Sequence, residues 1–265
     1  MDLNIILKKS LSLVKETGSF IQTEASKFSH ASIEYKGKND LVSYVDKEAE
    51  KLLVAGLSEI LPESGFITEE GTAEKGRSDE YNWVIDPVDG TTNFVHGIPL
   101  YCISVGLMDG DEVIMGIIYE PSRDEAFYTI KGDKAYLNDK EIHVSPVTKL
   151  EESLLATGFP YSKLHSTPAY IKVVEELMPK THGLRRMGSA AIDLAYVACG
   201  RFEGFFEYNL KPWDVAAGAF LVQQAGGKVT TFKSSSDYIF GGELVAGCAI
   251  QSELREIIQK HWFSA

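Results

Sequence analysis

Asp86 and Asp89 stand three residues apart in the stretch WVIDPVDGTTNFVHG, just after the apolar run at 83–85. Asp-Pro-Val-Asp-Gly is an ordinary turn composition, in which proline presets one dihedral angle and aspartate caps the turn. Two features give the pair a second reading. Catalytic groups concentrate on loops at the ends of buried strands, and both carboxylates sit at such an end. Gly90, Thr91 and Thr92 follow directly and are able to open a helix, whose first free N–H groups form a natural phosphate cradle. Carboxylates beside an anion cradle suit a divalent metal and a phosphate ester better than a plain turn does.

Other acids fall at comparable places. Asp214, in KPWDVAAGAF, reads as a helix N-cap. Glu69 and Glu70 close GFITEE and read as a solvated pair. Asp46 completes the pattern of a capping box with Ser43. Each is ordinary alone, but together several acids stand at a helix start or a strand end. Mg²⁺ takes oxygen ligands in near-octahedral geometry and uses a few carboxylates together with water and substrate phosphate oxygens. Two such ions a few Å apart clamp the attacking and leaving oxygens of a displacement. Asp86 bridging two ions would account for the nearness of Asp89. The histidines (His30, His96, His143, His165, His182 and His261) do not pair at metal-binding spacing. His96, beside the motif, reads as a structural hydrogen-bonding residue. There is no G-x-S-x-G elbow and no G-x-x-x-x-G-K-[ST] loop.

The elements that must hold these residues follow from periodicity. Leu3, Ile6, Leu7, Leu11 and Val14 predict a helix over 3–27. Val45, Ala49, Leu52 and Leu53 predict a second, with Ser43 as N-cap and Pro62 beyond its end. GFITEE and NWVID read as strands around a polar loop at 71–80. From 101 to 145, short β-rich runs alternate with turn pairs such as Asp109-Gly110 and Asn138-Asp139, the pattern of an antiparallel meander. The second half alternates. SLLATGF is a strand and TPAYIKVVEELM a helix. GSAAIDLAYVACG is a helix opened by Ser189 and closed by Gly200. RFEGFFEY is a strand with an aromatic core. DVAAGAFLVQQAGG is a helix ending near Gly226, ELVAGC is a strand, and SELREIIQKHW is a helix capped by Ser252. Helices on sheets throughout imply a layered α/β or α+β sandwich. It reads as one domain over 1–265, with a weakly marked boundary near 147 between subdomains 1–146 and 147–265.

With 265 residues, 44% of them hydrophobic, the chain is able to bury a sizeable core. A formal net charge of −12 argues against a nucleic-acid or anionic-membrane surface, though not against an anionic substrate neutralised locally by metal. Cys102, Cys199 and Cys248 are scattered, odd in number and without zinc spacing, which suits a reducing, cytoplasmic setting. The apolar run at the N-terminus is short and broken by lysines, unlike a signal peptide or membrane span.

WVIDPVDGTTNFVHGIP resembles the first signature of the inositol monophosphatase family, and KPWDVAAGAFLVQQAGG resembles the second. FITEE and DLVSYVDKEAE are similar to the family's remaining site segments, in the same order over essentially the whole chain. The resemblance implies an αβαβα sandwich, a homodimer, and a Mg²⁺-dependent phosphomonoesterase with two to three ions per site. It implies that Glu69, Asp86 and the carbonyl of Val88 hold one ion and that Asp86, Asp89 and Asp214 hold another. A third, looser ion again uses Glu69. Thr91 with Asp46 orients and helps deprotonate the attacking water. Backbone N–H groups of Gly90 and Thr91 meet the phosphate, and Glu69 and Val88 also count among the substrate contacts. Gly188, Ser189 and Ala190 line the inositol or sugar pocket. Glu207 binds substrate hydroxyls, which Asp89 and Asp214 also touch. Glu69 is preferred to Glu70 by its position in the segment. Thr68 stands where the family often has a small residue, and the family lysine is left open between Lys36 and Lys38.

The implied reaction is in-line attack of a metal-activated water on phosphorus. DGTTNFVHGIP with Glu207 is most similar to the branch acting on myo-inositol monophosphate. Fructose 1,6-bisphosphate, histidinol phosphate and nucleotide 3′-phosphates are the family's other substrate types. Haloacid-dehalogenase-like phosphatases use D-x-D-G-T near the N-terminus; here the spacing is D-x-x-D-G-T, at residue 86. A two-carboxylate glycosidase and a non-catalytic metal- or phosphate-binding regulator are the remaining alternatives.

Overall fold

The computed structural model describes residues 1–27, 33–37, 40–159 and 166–263, with the stretch from 33 to 43 described as backbone only. Among these residues the strands form a hairpin, a seven-stranded sheet and a five-stranded sheet.

Helix α1 (Leu3–Ala25) starts where the carboxylate of Asp2 accepts the Asn4 N–H at 2.9 Å, and it buries Ile6, Val14 and Ile21. Strands β1 (Ile33–Gly37) and β2 (Asp40–Ser43) pair antiparallel ahead of α2 (Tyr44–Ile60). The sequence reading contains no such hairpin: its strands are too short for a period-2 signal. The Ser43 side chain lies outside the described residues, and with it the expected capping box. Helix α2 buries Val45, Ala49, Leu53 and Leu57, but Leu52, read as core, is 45% exposed. It follows Lys51 on the solvent side, one position off the buried stripe.

The seven-stranded sheet runs β3 (Gly65–Thr68), β4 (Tyr81–Asp89), β5 (Cys102–Asp109), β6 (Glu112–Glu120), β7 (Glu125–Ile130), β8 (Ala135–Leu137) and β9 (Lys140–Ile142) in spatial order. Strands β3 and β4 are parallel, and the rest is the expected antiparallel meander. Between β4 and β5 the short helix α3 (Thr91–Val95) makes the turn.

The five-stranded sheet has the order β11 (Gly183–Arg185), β10 (Leu154–Thr157), β12 (Gly204–Tyr208), β14 (Glu243–Gly247) and β13 (Lys228–Thr230). The three-residue strands β11 and β13 were not foreseen, being too short for periodicity to mark. Helices α4 (Thr167–Leu177) and α7 (Gln251–Trp262) cover its outer face through Tyr170, Val173, Leu254 and Ile258. Ser252 lies inside α7, whose cap position is Ile250.

Helices α5 (Ala190–Ala198) and α6 (Pro212–Gln224) lie between the two sheets. Every residue of α5 is buried. One buried cluster joins Ile118 and Phe127 of the first sheet, Leu194 and Leu221 of the helices, and Phe205 and Leu244 of the second sheet. The order of layers is therefore α1/α2, sheet, α5/α6, sheet, α4/α7, the expected αβαβα sandwich. Burial of Phe202, Phe205, Phe206 and Tyr208 agrees with the aromatic core read for RFEGFFEY.

Candidate metal and phosphate site

The strand β4 carries the first two acids, and its register explains their spacing. Side chains alternate faces along a strand, so residues three apart ordinarily point to opposite sides. Here Asp86 pairs with Ser104 and Asp89 with Cys102. Three steps on β4 therefore span two on β5, which is one extra residue, a β-bulge. The bulge cancels the alternation and turns both aspartates toward the same side, a use of bulges common beside active sites. Pro87 sits within it and has no N–H to lose from the ladder. The Val88 N–H donates to Asp86 Oδ1 at 3.0 Å, which closes the local turn.

Gly90 follows with φ of +102°, a conformation that disfavours any side chain. A Cβ there would lie 3.0 Å from the Leu100 carbonyl oxygen. The chain enters α3 at Thr91, whose hydroxyl lies 2.9 Å from Asp46 Oδ1 and 3.1 Å from the Val88 carbonyl oxygen. The Asp46 carboxylate is thus engaged with Thr91. Asn93 anchors α3 by donating to the carbonyls of Leu100 at 2.8 Å and Met187 at 2.9 Å.

Three further elements bring the other acids. Parallel pairing of β3 with β4 continues past Thr68, and the Glu69 N–H donates to the Ile85 carbonyl at 3.2 Å. The Glu69 side chain thereby reaches Asp86 and hydrogen-bonds with it. At the start of α6 the N-cap is Lys211 rather than Asp214. Asp214 is the third residue of the helix and accepts the Lys211 N–H at 2.7 Å, so the acid does cap, but from inside. At the start of α5 the Ser189 hydroxyl accepts the Ile192 N–H at 3.2 Å and donates to Asp89 Oδ2 at 2.7 Å. The Ala191 N–H also reaches Asp89 Oδ2, at 2.6 Å.

A pocket of about 130 Å³ opens where these elements meet, and Asp89, Arg186, Gly188, Ser189, Glu207 and Asp214 line it. The expected Ala190 lines it as well. Arg186, absent from the sequence reading, is the basic side chain on this wall. It lies two residues ahead of Gly188, in a segment whose motif drew attention to its small residues alone.

Electrostatics set the character of the site. Burial, then the charges of Glu69, Asp89 and Asp214, push the Asp86 carboxyl well above its ordinary range. Burial raises Asp89 to about 6 against the opposing bonds from Ser189 and Ala191 and the Arg186 charge. Burial and the Asp89 charge raise Asp214 against its bond from Lys211. Burial pushes Glu207 up to about 8, with Arg186 opposing and Asp89 adding. Crowded carboxylates of this kind are each short of positive charge, a deficit that divalent cations remove. The donors are all oxygen, which favours a hard cation such as Mg²⁺. Among the described residues no group of three or more His, Cys, Asp or Glu side chains is placed so that it could hold a metal ion as it stands.

The family model described as the inositol monophosphatase family matches residues 2–264. The chain belongs to this family. Inositol-1-monophosphatase of Mesorhizobium japonicum is 36% identical over 259 residues, covering 97% of this chain and 96% of that protein. Nus factor SuhB of Escherichia coli is 41% identical over 212 residues, covering 80% of this chain and 79% of that protein. The crystal structure of the extragenic suppressor protein suhB from Bartonella henselae superposes with a TM-score of 0.91 at 35% identity, covering 96% of this chain and 98% of that one. Family membership agrees with both signatures, and the layered fold is the one shared with these relatives.

Outside the site, the three cysteines are free, with Cys102 and Cys248 buried. Among the described residues no helix is long and apolar enough to cross a membrane.

Proposed function

We propose that the protein is a Mg²⁺-dependent phosphomonoesterase acting on myo-inositol monophosphate or a closely similar polyol phosphate. The observation that carries this reading is the crowding of Asp86 by Glu69, Asp89 and Asp214 beside an open pocket, with burial raising the carboxyls of Asp86, Asp89 and Asp214. Glu69, Asp86, the Val88 carbonyl, Asp89 and Asp214 are the groups that would hold the metal, two to three ions in all. When bound, Mg²⁺ would neutralise the phosphate, lower the pKa of water and stabilise the departing alkoxide.

The chain's own part is positioning and proton handling. The Thr91 hydroxyl, with its proton directed at Asp46, presents its lone pairs outward to a water. Asp46 is the base at the end of that short relay. Backbone N–H groups of Gly90 and Thr91 bind phosphate oxygens. The Ser189 hydroxyl and Ala191 N–H hold Asp89 in one orientation. Glu207 and Arg186, with Gly188, Ser189 and Ala190, form the wall that meets the leaving group. A carboxyl raised to about 8 is protonated at neutral pH and donates as well as accepts, which suits a polyol. Assembly as a homodimer, which rests on the family resemblance, and a cytoplasmic setting, which rests on the scattered cysteines, belong to the same proposal.

The test is phosphate release from inositol 1-phosphate, fructose 1,6-bisphosphate, histidinol phosphate and a nucleotide 3′-phosphate, with Mg²⁺, with EDTA and with added Li⁺. The reading predicts EDTA-sensitive release, fastest from inositol 1-phosphate. Activity that survives EDTA would contradict it. A second reading, a regulator that acts by binding a partner, is favoured by the similarity to proteins named Nus factor. Tight Mg²⁺ and phosphate binding with no release from any substrate would select it.

A further inference from the structure

Helix α2 presents two buried acids one turn apart, Asp46 at 1% exposure and Glu50 at 0%. Asp46 engages Thr91. Glu50 closes the segment DLVSYVDKEAE but carries no assigned role, yet a buried carboxylate must be compensated. Its compensation comes from the segment just after Glu69. Glu50 Oε2 accepts the Glu70 N–H at 2.7 Å, while Oε1 accepts the Thr72 N–H at 2.7 Å and the Thr72 hydroxyl at 2.9 Å. Bonds to an ionised acceptor are shorter and stronger than neutral ones. Glu69 itself is tied on its other side, through its N–H to Ile85 and its carboxylate to Asp86. Beyond Thr72 the chain runs as a polar, largely exposed loop to Tyr81.

We infer that Glu50 is a positioning residue for divalent-metal binding, its carboxylate clamping the 70–72 backbone so that Glu69 faces Asp86. The inference rests on the proposed reading of Glu69 as a metal ligand. Helix α2 then fixes both flanks of the site, the water-orienting flank through Asp46 and the metal-binding flank through Glu50. The i, i+4 spacing sets both on one buried stripe. A glutamine at 50 keeps the volume but replaces one acceptor oxygen with an NH₂ that faces N–H donors.

The test is calorimetric titration of Mg²⁺ alone into metal-stripped wild type, Glu50→Gln, Thr72→Val and Glu69→Gln, with thermal melts in EDTA beside each. Glu50→Gln is expected to melt cooperatively and to bind Mg²⁺ about 10–100-fold more weakly, the range for groups that orient a metal ligand. Its kcat should return toward wild type at saturating Mg²⁺, which a purely structural lesion would not produce. Thr72→Val removes one of the three bonds and should weaken Mg²⁺ binding by less. Unchanged Mg²⁺ affinity in Glu50→Gln, with weakened affinity in Glu69→Gln, overturns the inference. Unchanged affinity in Glu69→Gln overturns instead the ligand reading beneath it. If Glu50→Gln loses its cooperative melt, Thr72→Val decides, and unchanged affinity there overturns the inference.

Discussion

Thr91 has one hydroxyl proton and two acceptors within reach, Asp46 and the Val88 carbonyl. Its value to the proposed reaction is that hydroxyl, so Thr91→Ala should lower kcat by about 10²–10⁴-fold, the range for losing a positioned proton-transfer group. Thr91→Ser should retain most activity, and steady-state phosphate release distinguishes the two. Gly90 matters for a different reason. At φ of +102° and 3.0 Å from a carbonyl oxygen, a methyl group is both strained and crowded. Gly90→Ala should cost about 1–2 kcal/mol in denaturant unfolding from the left-handed backbone alone. Single residues with a chemical type tied to a motif were legible in the sequence: Asp46, Asp86, Asp89, Thr91 and Asp214 all reach the site region. The roles of Arg186, Asn93 and Glu50 were not, even though Asn93 and Glu50 lie within the family-like segments, because they act through partners distant in sequence.

At the scale of elements, helix capping and the proposed metal site share the same atoms. Ser189 caps α5 and holds Asp89 with one hydroxyl. Ser189→Ala should therefore cost about 0.5–2 kcal/mol of stability as a lost cap. It should also weaken Mg²⁺ binding, which a cap elsewhere would leave alone; melts and Mg²⁺ titration of one variant check both. Asp214 shows the limit of reading caps from composition. Aspartate near a helix start was recognised, but Pro212 at the first helical position moved the cap three residues earlier, to Lys211, and made Asp214 an inside partner. The bulge in β4 was invisible for a related reason. The sequence displays two aspartates at odd spacing, while the extra residue is defined only by pairing with β5. Long periodic elements such as α1 and the meander were legible, and three-residue strands such as β11 and β13 were not.

At the scale of the whole molecule, the layers hold the site together by close approach. Gly116 of β6 lies so near α6 that a Cβ would stand 2.7 Å from the Ala217 carbonyl oxygen. Gly116→Ala should overpack this seam and destabilise by about 1–3 kcal/mol, read from chemical unfolding. The acidic pocket leaves its own mark on stability. Glu207 has a carboxyl at about 8 in the folded chain against an ordinary value of 4.5. Between those pH values the folded state holds a proton that the unfolded state has released, so stability in EDTA should fall as pH rises from about 4.5 to 8. Glu207→Gln should flatten that slope in denaturant titrations at pH 5 and pH 8. The account as a whole depends on the crowded carboxylates being a catalytic metal site. Its most direct measurement is Mg²⁺-dependent phosphate release from inositol 1-phosphate by wild type and by Asp89→Asn, each checked for an intact fold by circular dichroism. The account predicts EDTA-sensitive turnover in the wild type and a loss of at least about 100-fold in the folded variant, the scale of removing a charge-stabilising group. Equal turnover in the two would contradict it.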